Sequence, residues 1–151
     1  MDKSTYVYVT YIRTTPEKLW DALTLINTER SFFWATKLEV DTEWKVGTKW
    51  KITAPDGTQV DSGEVLEIDP PKRLVLTWRN EMKPEMQAEG YSRMTYELEP
   101  KGDAVKLTVL HEMDIGQSKF IQAVSNGWPT ILSSLKSLLE TGEPLEDTRT
   151  W

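Results

Sequence analysis

The stretch GWPTILSSLKSLLETG, residues 127–142, decides the fold. With the residues just before it, apolar side chains fall at positions 120, 121, 124, 128, 131, 132, 135, 138 and 139. Spacings of three and four, sustained over about five turns, predict an amphipathic helix. Ser133, Ser134, Lys136, Ser137 and Glu140 fall on the opposite side, where the serines are expected to meet water. Gly142 supplies the left-handed stop that ends many helices. Pro129 lacks an N–H and crowds the carbonyl of Ser125, so it either opens the main helix or kinks it.

Almost everything before that segment reads as strand. Tyr6 to Ile12 (YVYVTYI) is β-branched and aromatic. Thr15 and Pro16 then form a helix start, and Leu19, Trp20 and Leu23 share one face of the helix that follows. A second short helical stretch is expected over residues 27–33, leading into the aromatic cluster Phe32-Phe33-Trp34. Trp50 and Ile52 alternate with Lys49 and Lys51, and Pro55-Asp56-Gly57 is a turn. The strand over residues 59–68 loses its alternation near Gly63, which predicts a bulge there. Residues 69–72 turn the chain into a strand from Leu74 to Trp78.

The polar stretch of residues 80–90 reads as a hairpin loop, or as a flexible lip whose Met82 and Met86 adapt to a guest. Met94, Tyr96 and Leu98 alternate with charged residues, and Val105, Leu107, Val109 and His111 share a face opposite Lys106, Thr108 and Glu112. A one-sided helix after a run of antiparallel strands belongs across the concave face of their sheet. The predicted class is α+β.

The 151 residues match one domain by size. There is no cysteine, which excludes disulfides and thiolate metal sites and is compatible with a reducing, cytoplasmic location. The N-terminus shows no apolar core of a signal peptide, and no run approaches the ~20 apolar residues that span a bilayer. A net charge of -6 argues against binding nucleic acid or an anionic membrane. One histidine and no calcium-type carboxylate spacing leave no expected metal, and no phosphate-binding or nucleophile motif implies a cofactor. Glu64 and Glu67 fall on opposite faces by alternation and read as solvated edges.

The seven tryptophans either pack a core or line a hollow. Strand parity and helical phase select the inward candidates for a ligand site: Trp20, Phe33, Trp34, Trp50, Met94, Tyr96, Val109, His111, Phe120, Val124, Trp128 and Ile131. Trp34, Phe120 and Trp128 are the favoured ones for the open end of a pocket, and the rest can equally fill the interior. His111 is a hydrogen-bonded structural group, a polar anchor for a ligand, or, with no assignable partner, a general base.

The segments TTPEKLWDALT, WKVGTKW, GEVLEIDPPKRLVLTW, YELEP, LTVLHE and GWPTILSSLKSLLETG occur in this order. Together they resemble the bacterial family similar to the C-terminal domain of the activator of heat-shock protein 90 ATPase. That family lies in the START-like (SRPBCC) superfamily, which also holds the birch-pollen-allergen fold. The likeness runs from about residue 5 to residue 142. It implies a helix-grip fold: a curved antiparallel sheet around a long C-terminal helix, two short helices after the first strand, and a cavity between sheet and helix. A single START-like domain over residues 1–142 is expected, with residues 143–151 a flexible tail. The implied function is binding of a hydrophobic, aromatic or lipid-like small molecule. The alternative is a protein-interaction or chaperone-linked regulatory module, with or without a homodimer. A cyclase- or hydrolase-like enzyme ranks third, because the inward set holds Tyr96 and His111 but no secure lysine or carboxylate. No catalytic residue is assigned.

Overall fold

The structure is a computed structural model that describes residues 2–150. Strand β1 (Ser4–Ile12) leads through helix α1 (Pro16–Thr24) to β2 (Glu29–Arg30) and β3 (Thr36–Val40). Strands β4 (Lys49–Thr53), β5 (Gln59–Asp69) and β6 (Arg73–Asn80) follow, then one helical turn, α2 (Pro84–Gln87). Strands β7 (Ser92–Lys101) and β8 (Ala104–Met113) precede the long helix α3 (Lys119–Thr141). The strands form one antiparallel sheet in the order β1-β8-β7-β6-β5-β4-β3-β2. That sheet curls into a half-barrel, and α3 lies in its hollow: the helix-grip architecture.

Period-two patterning does the positioning. Along β8 the side chains of Val105, Leu107, Val109, His111 and Met113 are buried, and those between them are half-exposed. In register beside them stand Met94, Tyr96 and Leu98 of β7, and the same face continues through Leu74, Leu76 and Trp78 of β6. Helix α3 turns Phe120, Ile121, Trp128, Ile131, Leu132 and Leu135 onto this surface. The Ser118 hydroxyl caps its start at Ile121 N (3.1 Å), and Gly142 ends it at φ +88°. Pro129 neither opens nor ends the helix, which runs through it from 119 to 141.

Several expectations are corrected. Residues 27–33 do not form a helix. Glu29 and Arg30 pair with Lys37 and Thr36, and the chain reverses in a turn whose Phe33 and Ala35 N–H groups both reach the Arg30 carbonyl (2.9 and 3.0 Å). Asn27, Trp34 and Ala35 take left-handed backbone (φ +62°, +52° and +56°), which no continuing helix permits. Hairpin pairing overrides the weak local helix preference of a run that holds Asn27, Thr28, Ser31 and two phenylalanines.

β5 is irregular at two places, Val60 against β4 and between Val65 and Glu67 against β6, and not at Gly63. The second of these resets the parity, so Glu64 and Glu67 are both exposed, and Glu67 meets Arg73 at 2.9 Å. Gly63 is glycine for another reason. A Cβ there would stand 1.8 Å from the Thr77 carbonyl oxygen and 2.8 Å from the Trp50 indole nitrogen. The bare backbone lets that indole cross β5 and donate to Thr77 O at 3.2 Å.

The polar stretch of residues 80–90 contains α2, and its Glu89 is tied to the start of α3. The Glu89 carboxylate accepts from the Ser118 hydroxyl (2.6 Å) and from Lys119 N (2.8 Å), where a helix N-terminus favours negative charge. Ser134 faces the interior rather than water. It is fully buried, bonds Thr148 Oγ1 at 2.5 Å and accepts from Leu145 N at 2.9 Å. Thr148, in the 3₁₀ turn Glu146–Thr148, is also fully buried and donates to Ser31 O at 3.0 Å. The segment expected as a loose tail thereby touches both α3 and the turn before Phe33.

Candidate functional site

Where α3 departs from the sheet, the two leave a cleft of about 250 Å³. Phe120, Ala123, Val124, Gly127, Trp128 and Ile131 of α3 form one wall, a stripe at helical spacing. Phe33 and Trp34 of the turn after β2 form the second, and Val60, Asp61, Trp78 and Asn80 of β5 and β6 form the third. Gly127 keeps it open: a Cβ built there meets nothing within 4 Å. Four rings converge on Trp128, with centroids at 6.5 Å for Phe33, 5.6 Å for Trp78, 5.9 Å for Tyr96 and 6.1 Å for His111. A groove of about 540 Å³ elsewhere runs over outward-facing Lys49, Lys51, Gln59 and Glu64, so it is a solvated surface rather than an apolar site.

Six of the inward candidates stand around the cleft: Phe33, Trp34, Phe120, Val124, Trp128 and Ile131. The other six, Trp20, Trp50, Met94, Tyr96, Val109 and His111, are buried in the packed core and do not line it, although His111 and Tyr96 stand directly behind its Trp128 wall. His111 is held at every polar atom. The Trp128 indole donates to Nδ1 at 3.1 Å, Nε2 faces Ser92 Oγ at 2.7 Å, and the Ser92 hydroxyl donates to Trp78 O at 2.8 Å. Burial pushes its pKa down to about 3, so the ring is neutral.

Parity and phase reasoning passed over Val60, Asp61, Trp78, Asn80, Ala123 and Gly127. Trp78 was available as the next inward position after Leu74 and Leu76, and Ala123 and Gly127 lie at i+3 from Phe120 and Val124. Asp61 overturns the expectation of an interior without a carboxylate. It shares parity with Gly63 and Val65, is 7% exposed and lines the cleft. Burial raises its pKa to about 7, with Glu81 adding to the rise and the Trp78 indole and Arg30 opposing it. Arg30 is the other surprise. Its side chain is buried with Nε and Nη2 unpartnered, and its guanidinium carbon lies 4.5 Å from the Phe33 ring centre and 5.5 Å from that of Phe32. Burial lowers its pKa to about 10, against the pull of Tyr96 and Asp61, so it stays charged at neutral pH.

A sheet wrapped around a C-terminal helix, with an apolar cleft between them, defines a START-like (SRPBCC) protein. Residues 13–140 match the family described as activator of Hsp90 ATPase homolog 1-like protein, and the chain belongs to it. Among solved structures it is similar to protein MLL2253 from Mesorhizobium loti, at 27% identity and a TM-score of 0.73, over 91% of this chain and 97% of that one. It is also similar to an HSP90 activator from Plasmodium falciparum, at 25% identity and a TM-score of 0.68, over 93% and 97% of the two chains. The Aha1 dimer of Colwellia psychrerythraea shares the fold at 20% identity and a TM-score of 0.71, over 92% and 98%. No curated protein matches the chain. Family and neighbours together fit a ligand-binding or regulatory module. Among the described residues no helix is long and apolar enough to cross a membrane.

Proposed function

We propose that this protein binds a hydrophobic small molecule in the cleft between α3, the Phe33–Trp34 turn and β5–β6. The observation that carries the reading is the cleft itself. An amphipathic helix leaves an open, mostly apolar space at Gly127, walled by three indoles and two phenyl rings. Ligand sites are concave, largely apolar and supplied with a few polar groups, and Asp61 and Asn80 are such groups here. A volume of about 250 Å³ lies below the roughly 300–1,000 Å³ of drug-sized sites, which favours a one- or two-ring molecule over a sterol. Titration with flavonoids, sterols, fatty acids and small aromatics tests this through tryptophan fluorescence, because Trp34, Trp78 and Trp128 line the space. A binding compound also raises the melting temperature by mass action. Silence of both signals across the panel defeats the reading.

A second reading, a protein-interaction module, draws on a different surface. Val7, Val9 and Tyr11 stand 53%, 43% and 50% exposed on the outward side of β1, an edge strand. Two similar structures are an HSP90 activator and an Aha1 dimer. Sedimentation with and without heat-shock protein 90, on the native chain and on a Val7→Lys/Val9→Lys variant, tests it. A monomer that ignores the chaperone and is unchanged by the substitutions defeats it.

A further inference from the structure

We infer that Arg30 anchors an oxygen acceptor on the molecule the cleft holds, which makes the ligand class a compact aromatic carboxylate; this rests on the binding reading above. The first ground is an unmet need. Arg30 is 4% exposed, yet its Nε and Nη2 have no hydrogen-bond partner, and no ion pair to it exists among the described residues. Stacking on Phe32 and Phe33 satisfies the face of the guanidinium but none of its N–H donors. A buried charge left without a hydrogen-bonded partner is costly. The residue therefore fits an acceptor supplied from outside the chain better than a structural role.

The second ground is position. Arg30 borders an inner chamber of about 10 Å³, room for at most one water, whose walls include Trp50, Trp78 and Tyr96. Trp78 is the wall this chamber shares with the cleft. Phe33 also lines the cleft and carries the guanidinium 4.5 Å from its ring centre. Arg30 does not itself line the cleft: one aromatic layer separates the cleft from two unused donors, and the inferred bond requires the Phe33 ring to swing aside. Phe33 sits on a turn whose next two residues are held in left-handed backbone, so its ring is positioned by a strained segment rather than by a helix or a ladder. A planar carboxylate matches the guanidinium fork with two parallel bonds; an alcohol of the same size offers one weaker bond and no charge.

The third ground is Asp61, the only charged side chain among the described residues that lines the cleft. Ionised, it repels an incoming carboxylate; protonated, it can donate to one. The charged groups acting on it are Arg30 from β2 and Glu81 just after β6, the Trp78 indole of β6 is its polar neighbour, and His111 on β8 is neutral. Carboxylate binding therefore strengthens on acidification.

Calorimetric titration of the full chain with 2-naphthoate and with 2-naphthalenemethanol tests the inference at pH 6 and pH 8. The native protein is expected to bind the carboxylate at least tenfold more tightly than the alcohol at pH 6, with a smaller margin at pH 8. Arg30→Met erases the preference, and Asp61→Asn retains it at pH 8. Equal affinities in the native protein at pH 6, or a preference that survives Arg30→Met, overturn the inference while leaving the cleft as a site. Binding of neither compound overturns the inference, and silence across the wider panel as well overturns the binding reading. If Arg30→Met does not fold, the Arg30 Nε–H resonance decides: naphthoate must shift it and slow its exchange, the alcohol must not, and an unmoved resonance overturns the inference.

Discussion

The indole N–H of Trp128 donates to Nδ1 of His111 at 3.1 Å, and that bond sets the imidazole tautomer. With Nδ1 accepting, Nε2 carries the proton and points it at Ser92 Oγ, 2.7 Å away. Trp128 therefore acts twice: its ring edge walls the cleft, and its N–H satisfies the buried histidine. Trp128→Phe keeps most of the apolar area but leaves Nδ1 without a partner. We expect a loss of about 1–3 kcal/mol in urea unfolding, the usual cost of an orphaned buried polar atom. A variant as stable as the native chain shows that water replaces the indole.

Gly127 separates cleft function from fold stability. A glycine inside a helix costs about 0.5–1 kcal/mol relative to alanine, and a Cβ at this position meets only open space. Gly127→Ala is expected to stabilise the protein by roughly that amount. Gly127→Phe places a ring in the cleft and should reduce affinity for any cleft ligand at least tenfold without lowering the melting temperature. A Gly127→Phe protein that binds as well as the native one places the ligand elsewhere.

What was legible in the sequence follows from what its periodicities encode. The α3 stripe and the alternation of β7 and β8 each repeat enough times that one-sided burial is the only consistent solution, and the helix-grip order follows. The turn after β2 was not legible, because two residues of pairing and two left-handed residues, Trp34 and Ala35, leave no periodic trace. Half of the candidate site was also hidden. Asp61 and Arg30 are charged residues, and period-two reasoning was applied to apolar positions; nothing local marks a charge as inward-facing. Gly127 was passed over for the opposite reason, since a residue without a side chain shapes a cavity only through what is missing there.

Thr148 joins three segments that the sequence keeps far apart: Ser134 of α3, Ser31 before the aromatic turn, and its own 3₁₀ turn. Thr148→Val keeps the shape and removes the hydroxyl, leaving Ser134 and the Ser31 carbonyl short of a buried partner. A loss of about 1–3 kcal/mol is expected. Because Ser31 leads into Phe33 and Trp34, hydrogen exchange should also quicken at residues 31–36. Unchanged exchange there shows that the C-terminal segment packs on the turn without supporting it.

His111 and Asp61 give the fold opposing responses to pH. His111 titrates near 3 in the folded chain and near 6.5 unfolded, so its contribution is fully present above 6.5 and falls away as pH drops toward 3. Asp61 titrates near 7 folded and near 3.9 unfolded, so its contribution is fully present below about 3.9 and is lost as pH rises through 7. Between about pH 4 and 6.5 the unfolded chain holds one more proton at the histidine and one fewer at the aspartate, and the two slopes cancel. Each variant should expose the other group. Relative to the native chain, Asp61→Asn gains stability as pH rises from 4 to 7, by on the order of 4 kcal/mol in all. His111→Gln loses the opposing slope, so its stability falls relative to the native chain over pH 4 to 6.5. Denaturant unfolding at half-unit pH steps measures both differences. If the Asp61→Asn difference is flat across this range, the aspartate ionises in the fold as it does in water, and the cleft carries a full negative charge at every pH above about 4.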